Sequence, residues 1–337
     1  MKLKHIHIDA YKVFRDFDID FCYDGKVQNL IIITGINGNG KTTLLRDVIA
    51  EKDSRTAIDG YMEVEDAEKT VQILLSLPDN HIFSNIVLYK ADESSSVERL
   101  QNEIIRYVDK QVYEQGKTSF EAYNNIQTLI ENIFPNFNLQ IRFKGINRDK
   151  KLIFTNLSGD EFGIDGLSGG ERQILSKIFP LFTDDMKGHV ILFDEPEESL
   201  HPSWQNRLVP ILRKCAKDND CQFIIATHSP QIISAARKEE IRILKRNDKG
   251  VVQAGTCMDG PYGWTVEKVL TEIQDVDYTR VPEVEEKLLE LFRMLEEGKY
   301  DTAEFKEKLS YLESAIGFTD RDLALIRMEI IRRKKKL

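Results

Sequence analysis

Apolar and polar residues alternate with a period of two over Leu3–Phe14 and again over Phe17–Phe21, which predicts two strands at the start of the chain. The run "LIIIT" (Leu30–Thr34) is apolar throughout, as a strand buried on both faces of a parallel sheet must be. "KTTLLRDVIA" then has the pattern of a helix, and strand-like runs return over 62–77 and 84–91 around the turn "PDNH". Between Ser94 and Asn136 the period changes. Val97, Leu100, Ile104, Val108 and Val112 recur at helical spacing, and so do Tyr123, Ile126, Ile130, Ile133 and Phe134, with "EQGKTS" between the two runs. A helical pair of about 94–136 is expected, packed inside the domain. "LQIRFKG" and "KLIFTNLSGDEFGI" resume strands, and from Gly188 to Lys245 strand and helix alternate, the order of a parallel, helix-flanked sheet.

After "GPYGW" (Gly260–Trp264) the strand pattern stops and four helix-like segments follow, two of them closed by glycine. The expected organisation is an α/β domain over 1–260 and a helical C-terminal domain over 261–337. Val284, Leu288, Leu291, Phe292 and Leu295 form a helical stripe there, to be buried against its own neighbours or against a partner. Composition adds little: 41% hydrophobic and 31% charged residues suit a protein with a sizeable core. No apolar run approaches the roughly 20 residues of a membrane span, and the N-terminus lacks the apolar core of a signal peptide. Cys22, Cys215, Cys221 and Cys257 show no metal-ligand spacing, so a reducing cytoplasm is the expected setting. The net charge of −9 argues against a global electrostatic grip on nucleic acid, leaving only a local basic face.

The chemistry concentrates in three short stretches. In "GINGNGKTT" (Gly35–Thr43), Gly35, Gly40, Lys41 and Thr42 fit the spacing G-x-x-x-x-G-K-[ST] between a strand and a helix. Bare backbone over Gly35, Asn37, Gly38, Asn39 and Gly40 lets successive N–H groups turn around a phosphate at the positive end of the next helix. Lys41 then reaches the β- and γ-oxygens of ATP, Thr42 offers a hydroxyl to Mg²⁺, and Thr43 follows at the rim. "VILFDEPE" delivers Asp194 to the C-terminal end of a buried strand, where it would hold Mg²⁺ through water, while Glu195 would polarise the attacking water. In "LSGGERQ", Ser168, Gly169 and Gly170 precede a helix and make a second anion-binding helix start. One nucleotide has one γ-phosphate, so the second site points to a head-to-tail homodimer with two ATPs sandwiched between Lys41 of one protomer and Ser168 of the other.

"GINGNGKTT", "LSGGERQ", "ILFDEPE" and "ATHSP", in that order, resemble the ATP-binding cassette ATPase superfamily over roughly residues 1–245. The resemblance implies a parallel sheet core with an antiparallel β subdomain, Glu195 as the catalytic glutamate, a D-loop at Ser199–Leu200–His201, and His228 as the switch histidine on the γ-phosphate. No glutamine takes the Q-loop position clearly, Gln72 lying in a strand-like run, and Lys12 is either a nucleotide-side lysine or an exposed one. "DEPEESLHP" and "ATHSPQII" are similar to the RecF/SMC/OLD-like branch rather than to transporter cassettes. A long SMC-like arm has no room, and residues 264–337 carry no strand-borne acidic cluster of an OLD-type nuclease. The C-terminal segment resembles the PtuA-type ATPases of Septu and retron-linked anti-phage systems. That resemblance implies a regulatory ATPase controlling an HNH nuclease partner of the PtuB type, with DNA as a candidate ligand and no membrane. The alternative is a RecF-like repair ATPase acting on duplex DNA.

Overall fold

A computed structural model describes residues 1–50, 58–66, 69–76, 84–90, 96–133, 141–183, 186–198 and 200–336. Along the chain come β1 (Lys2–Tyr11), β2 (Phe14–Asp20), β3 (Cys22–Tyr23), β4 (Lys26–Val27) and β5 (Leu30–Gly35). Helix α1 (Lys41–Thr43) passes directly into π-type turns over Leu44–Ala50, followed by β6 (Asp59–Asp66), β7 (Lys69–Leu74) and β8 (Ile86–Lys90). The helical pair is α2 (Ser96–Asp109), extended by π-type turns to Glu114, and α3 (Ser119–Ile133). Next are β9 (Ile141–Ile146), β10 (Leu152–Asn156), β11 (Glu161–Phe162), α4 (Gly169–Thr183), β12 (Val190–Asp194), α5 (Pro202–Asp218), β13 (Gln222–Ala226) and α6 (Pro230–Ser234). The chain continues with β14 (Ile241–Arg246), β15 (Val252–Gly255), α7 (Val266–Glu272), α8 (Pro282–Glu296), α9 (Ala303–Ile316) and α10 (Arg321–Lys336).

The principal sheet has the order β15-β14-β5-β13-β12-β8. Four of its five pairings are parallel, and β14 with β15 is antiparallel. Every residue of β5, β12 and β13 is buried, which is why these runs carry no polar alternation. A second, antiparallel sheet of order β2-β1-β6-β7 sends Leu3, Ile6, Ile8, Phe17 and Ile19 into the same core as Ile31, Ile33 and Leu192. A parallel sheet beside an antiparallel β subdomain is the α/β class expected from the motifs.

Two expectations change in detail. The two strands expected over Leu3–Phe14 and Phe17–Phe21 are β1 and β2, but the turn between them falls at Lys12, whose φ is a positive 48°, so Phe14 belongs to β2. The run over 62–77 likewise divides into the β6–β7 hairpin, while the "PDNH" turn and Phe134 lie outside the described residues.

The chain forms two compact units, Met1–Val269 and Leu270–Leu337. In the second, Leu288, Leu291 and Leu295 of α8 bury against Phe305, Leu312, Leu323 and Ile326, and Val284 and Phe292 pack at the edge of that cluster. The stripe on α8 is therefore satisfied largely within its own unit. Thr302 caps α9 through the Phe305 N–H at 3.3 Å. Arg280 bridges Asp320 and Asp322 at 2.8 and 2.6 Å, pinning the segment before α8 to the start of α10. Among the described residues no helix is long and apolar enough to cross a membrane.

Candidate functional site

Three adjacent strands of the principal sheet end together. β5 runs into the loop at Gly35, β13 beside it into Thr227 and His228, and β12 next to β13 ends on Asp194. Their register fixes the level, since Asp194 pairs with Ala226 and Ala226 with Ile33. Polar groups carried past the last apolar residue of each strand converge on one cleft of about 280 Å³. It is lined by Val13, Asn37, Gly38, Lys41, Thr43, Glu195 and His228, with Gly40 and Thr42 between them.

The loop needs its glycines. Gly35 has φ 146°, and a Cβ there would lie 2.3 Å from the Leu244 carbonyl oxygen. Gly40 has φ 88°, and a Cβ would meet Val13 and Phe14 side-chain carbons at 2.7 Å. Asn39 is buried and its amide donates to the Leu244 carbonyl at 2.8 Å, tying the loop to β14. Lys41 is only 5% exposed, and its ammonium donates to the Gly35 carbonyl at 2.8 Å. Burial pushes the Lys41 pKa down to about 8, against the opposing pull of the Glu195, Asp194 and Glu197 carboxylates.

Asp194 is buried at the end of β12. The Thr42 hydroxyl donates to its Oδ1 at 3.1 Å, and Arg46 Nε lies 3.2 Å from Oδ2 as a charge contact without hydrogen-bond alignment. Burial pushes the Asp194 carboxyl up, and Thr42 and Arg46 pull it back. A hydroxyl and a carboxylate side by side are the hard oxygen donors that suit Mg²⁺, so the residues present fit that ion. Glu195 follows with the positive φ of 53°, donates its N–H to the Ala226 carbonyl at 2.9 Å, and keeps its side chain partly exposed. Its Oε1 lies 3.7 Å from His228 Nε2. Burial and then the Lys41 charge push the His228 pKa down, favouring a neutral ring.

Ser168, Gly169 and Gly170 are not among the cleft's lining residues. The Ser168 N–H donates to Glu171 Oε2 at 2.8 Å and the Glu171 N–H donates to Ser168 Oγ at 3.3 Å. This reciprocal capping box closes the start of α4 with a carboxylate of the same chain, where the sequence suggested donors open to a phosphate. Of the flanking positions, Ser199 lies outside the described residues and Leu200 is buried. His201 caps α5 by accepting from the Ser203 N–H at 3.2 Å. Gln72 is exposed on β7, and Lys12 pairs with Asp47 in the turns after α1.

Sequence reasoning missed Glu197. Its Oε1 accepts from the Thr227 hydroxyl at 2.6 Å, the His228 N–H at 2.8 Å and the Ser229 N–H at 3.0 Å, while Oε2 is buried without a hydrogen bond. Burial pushes this carboxyl up, and the three donors restrain it. Glu197 thus clamps the segment carrying His228 onto the turn carrying Glu195. Lys177 of α4 donates to the Pro196 carbonyl of the same turn at 3.1 Å. The available signal was the second glutamate of "DEPE" together with the donor-rich "THS". Replacing Glu197 by Ala strands these donors in a buried site and is expected to destabilise the first unit by about 3 kcal/mol. Glu197→Gln keeps an acceptor oxygen and should lose clearly less. Urea unfolding followed by tryptophan fluorescence measures both.

The chain is 26% identical over 211 residues to the Septu protein PtuA of Bacillus thuringiensis, covering 58% of this chain and 51% of that one. It is 30% identical over 180 residues to the "Retron Ec83 probable ATPase" of Escherichia coli, covering 50% and 32%. It therefore spans about half the length of the first relative and a third of the second. A solved SMC head, bound to the C-winged helix domain of ScpA, superimposes with a TM-score of 0.54 at 14% identity over 76% of this chain and 98% of that one, a likeness of fold. The family model described as "AAA domain, putative AbiEii toxin, Type IV TA system" matches residues 51–234, and the chain belongs to that family of ATPase domains.

Proposed function

We propose that this chain binds and hydrolyses ATP, as a head-to-tail homodimer, and that it serves an anti-phage defence system by controlling a partner HNH-type nuclease. The observation that carries the ATPase reading is the buried Lys41 ammonium in the same cleft as Thr42–Asp194 and Glu195–His228. Lys41 and the loop N–H groups bind the β- and γ-phosphates, and Thr42 and Asp194 hold Mg²⁺, which supplies charge neutralisation on the phosphate oxygens. Glu195 accepts a proton from the attacking water, and the neutral His228 ring orients that water or the γ-phosphate. Likeness to the Septu and retron proteins supports the defence role. An exposed apolar row on α10 (Leu325, Met328 and Ile331) supports a docking function for the helical unit.

Lys41→Ala should abolish ATP binding, whereas Glu195→Gln should keep binding and slow turnover by about 10²-fold or more. Mixing Lys41→Ala with Ser168→Arg should restore part of the activity, because one of the two shared sites then combines intact halves. Steady-state phosphate release reads all three. Wild-type turnover by Glu195→Gln would overturn the catalytic assignment, and wild-type turnover by Ser168→Arg the shared site.

Protonation gives an independent check. Phosphate binding requires charged Lys41, whose pKa in this chain is about 8. Below that pH the charge is present at no further cost. Above it the ammonium must regain a proton on binding, so ATP affinity should fall by up to about tenfold per pH unit. Calorimetry from pH 7 to about pH 9 should show this fall with proton uptake, and an affinity constant across that range would contradict it.

For the defence role, the purified chain alone should not cleave DNA. A co-expressed HNH nuclease from the same operon should bind it, cleave in a nucleotide-dependent manner, and lose binding when residues 264–337 are removed. DNA cleavage by the isolated chain, or unchanged nuclease binding after truncation, would refute this part.

A further inference from the structure

The Asp194 carboxylate is met at both oxygens by one stretch of helix. Thr42 of α1 and Arg46 of the π-type turns that continue it stand four residues apart, so their side chains fall on the same face. Each takes one oxygen. The Thr42 hydroxyl donates to Oδ1 at 3.1 Å, and Arg46 Nε lies 3.2 Å from Oδ2. Asp47, the acid next to Arg46 in the chain, is engaged instead by Lys12 and by the Tyr11 hydroxyl. Among the described residues Asp194 is the one carboxylate in ion-pair reach of Arg46.

Exposure divides the arginine. Its side chain is 35% exposed, yet Nε is buried and donates to no acceptor, because the Asp194 oxygen beside it is out of line. A buried N–H without an acceptor is costly, and arginine cannot relieve it by losing the proton. The acceptor nearest to satisfy it is Oδ2. Arg46 is not among the residues that line the nucleotide cleft, so its route to a bound nucleotide runs through Asp194.

We propose that Arg46 is a positioning residue for the magnesium form of the nucleotide: drawing Asp194 Oδ2 onto its Nε–H leaves Oδ1, beside the Thr42 hydroxyl, to face the ion. The inference rests on the proposed holding of Mg²⁺ by Thr42 and Asp194, and adds the residue that aims them. A carboxylate free to rotate loses that freedom on meeting the ion, whereas one already held at Oδ2 has lost it in advance. Groups that hold a metal-binding side chain in this way typically change metal affinity by about 10- to 100-fold. Bare charge is a weaker account, since a fixed cation so close repels Mg²⁺ while it attracts Asp194. The benefit lies in direction, supplied by the buried N–H.

The test is calorimetry on the full chain with the non-hydrolysable analogue AMP-PNP, once in excess Mg²⁺ and once in excess EDTA. The wild-type chain should bind more tightly in Mg²⁺. Arg46→Gln removes both charge and donor, and Arg46→Lys keeps the charge while putting a methylene where Nε stands. Both are expected to weaken binding by about tenfold or more in Mg²⁺ and by less than about twofold in EDTA. Losses of equal size in the two media would leave only a structural role and overturn the proposal. Wild-type or tighter binding in Mg²⁺ by Arg46→Gln would overturn it too. Wild-type binding by Arg46→Lys would make the charge sufficient and refute the part played by the N–H. The lysine variant preserves length and charge, and it decides the matter should Arg46→Gln fail to fold. If the wild-type chain binds equally in both media, the assignment of Thr42 and Asp194 to the ion falls and the role of Arg46 with it. If the wild type shows the magnesium effect and both variants keep it, the role of Arg46 alone falls.

Discussion

A buried ammonium constrains the whole first unit. Taking the Lys41 charge out of water costs several kcal/mol unless other charges and dipoles replace the solvent. The replacements are the Gly35 carbonyl and the fields of Glu195, Asp194 and Glu197. Turning that carbonyl inward requires φ 146°, where a Cβ would also strike the backbone of β14, so only glycine serves. Bringing three carboxylates near one lysine requires β12 to lie next but one to β5, with β13 between them. The strands allow that closeness because their middles are apolar, with the buried polar residues Thr34, Gln222 and Asp194 confined to the strand ends.

This dependence explains which parts of the fold were readable. The run Leu30–Thr34 and the run Val190–Phe193 have to be central strands, because nothing else buries both faces of so short a segment. The helical pair and the four C-terminal helices were equally legible, as their apolar spacing has a single period. The order β5-β13-β12 was not, because adjacency is decided by pairs such as Val190 with Gln222 and Leu30 with Phe223, far apart in the chain, rather than by local pattern. The position of the first turn at Lys12 and the division into β6 and β7 were hidden for a different reason. Two strands of a hairpin keep the same alternation on either side of a short turn, and only the backbone of the turn distinguishes them from one strand.

The candidate site divides along the same line. Residues whose role depends on local geometry, such as the glycines, Lys41, Thr42 and Asp194, announce themselves by spacing. Glu197 does not, because its three donors lie 30 to 32 positions away. Glu171 shows a subtler failure. The pattern Ser168-x-x-Glu171 is a legible capping box, yet the same residues are legible as an anion site, and local sequence cannot rank a carboxylate already present against a phosphate supplied by a partner.

That ranking bears on how the two halves of the proposed dimer would communicate. In both halves the chain supplies its own substitute for phosphate, the Gly35 carbonyl for the Lys41 ammonium and the Glu171 carboxylate for the Ser168 N–H. Neither substitute matches a triphosphate in charge, so in the proposed dimer ATP would replace a weaker contact at each end. Helix α4 begins at the capped serine and, through Lys177, holds the Pro196 carbonyl between Asp194–Glu195 and the Glu197 clamp. In the proposed dimer, releasing the cap on engaging a partner's phosphate would act on a helix already bonded to the turn that carries Glu195. The Lys177–Pro196 hydrogen bond is the physical link such coupling would use, since it joins α4 directly to the turn from Glu195 to Glu197.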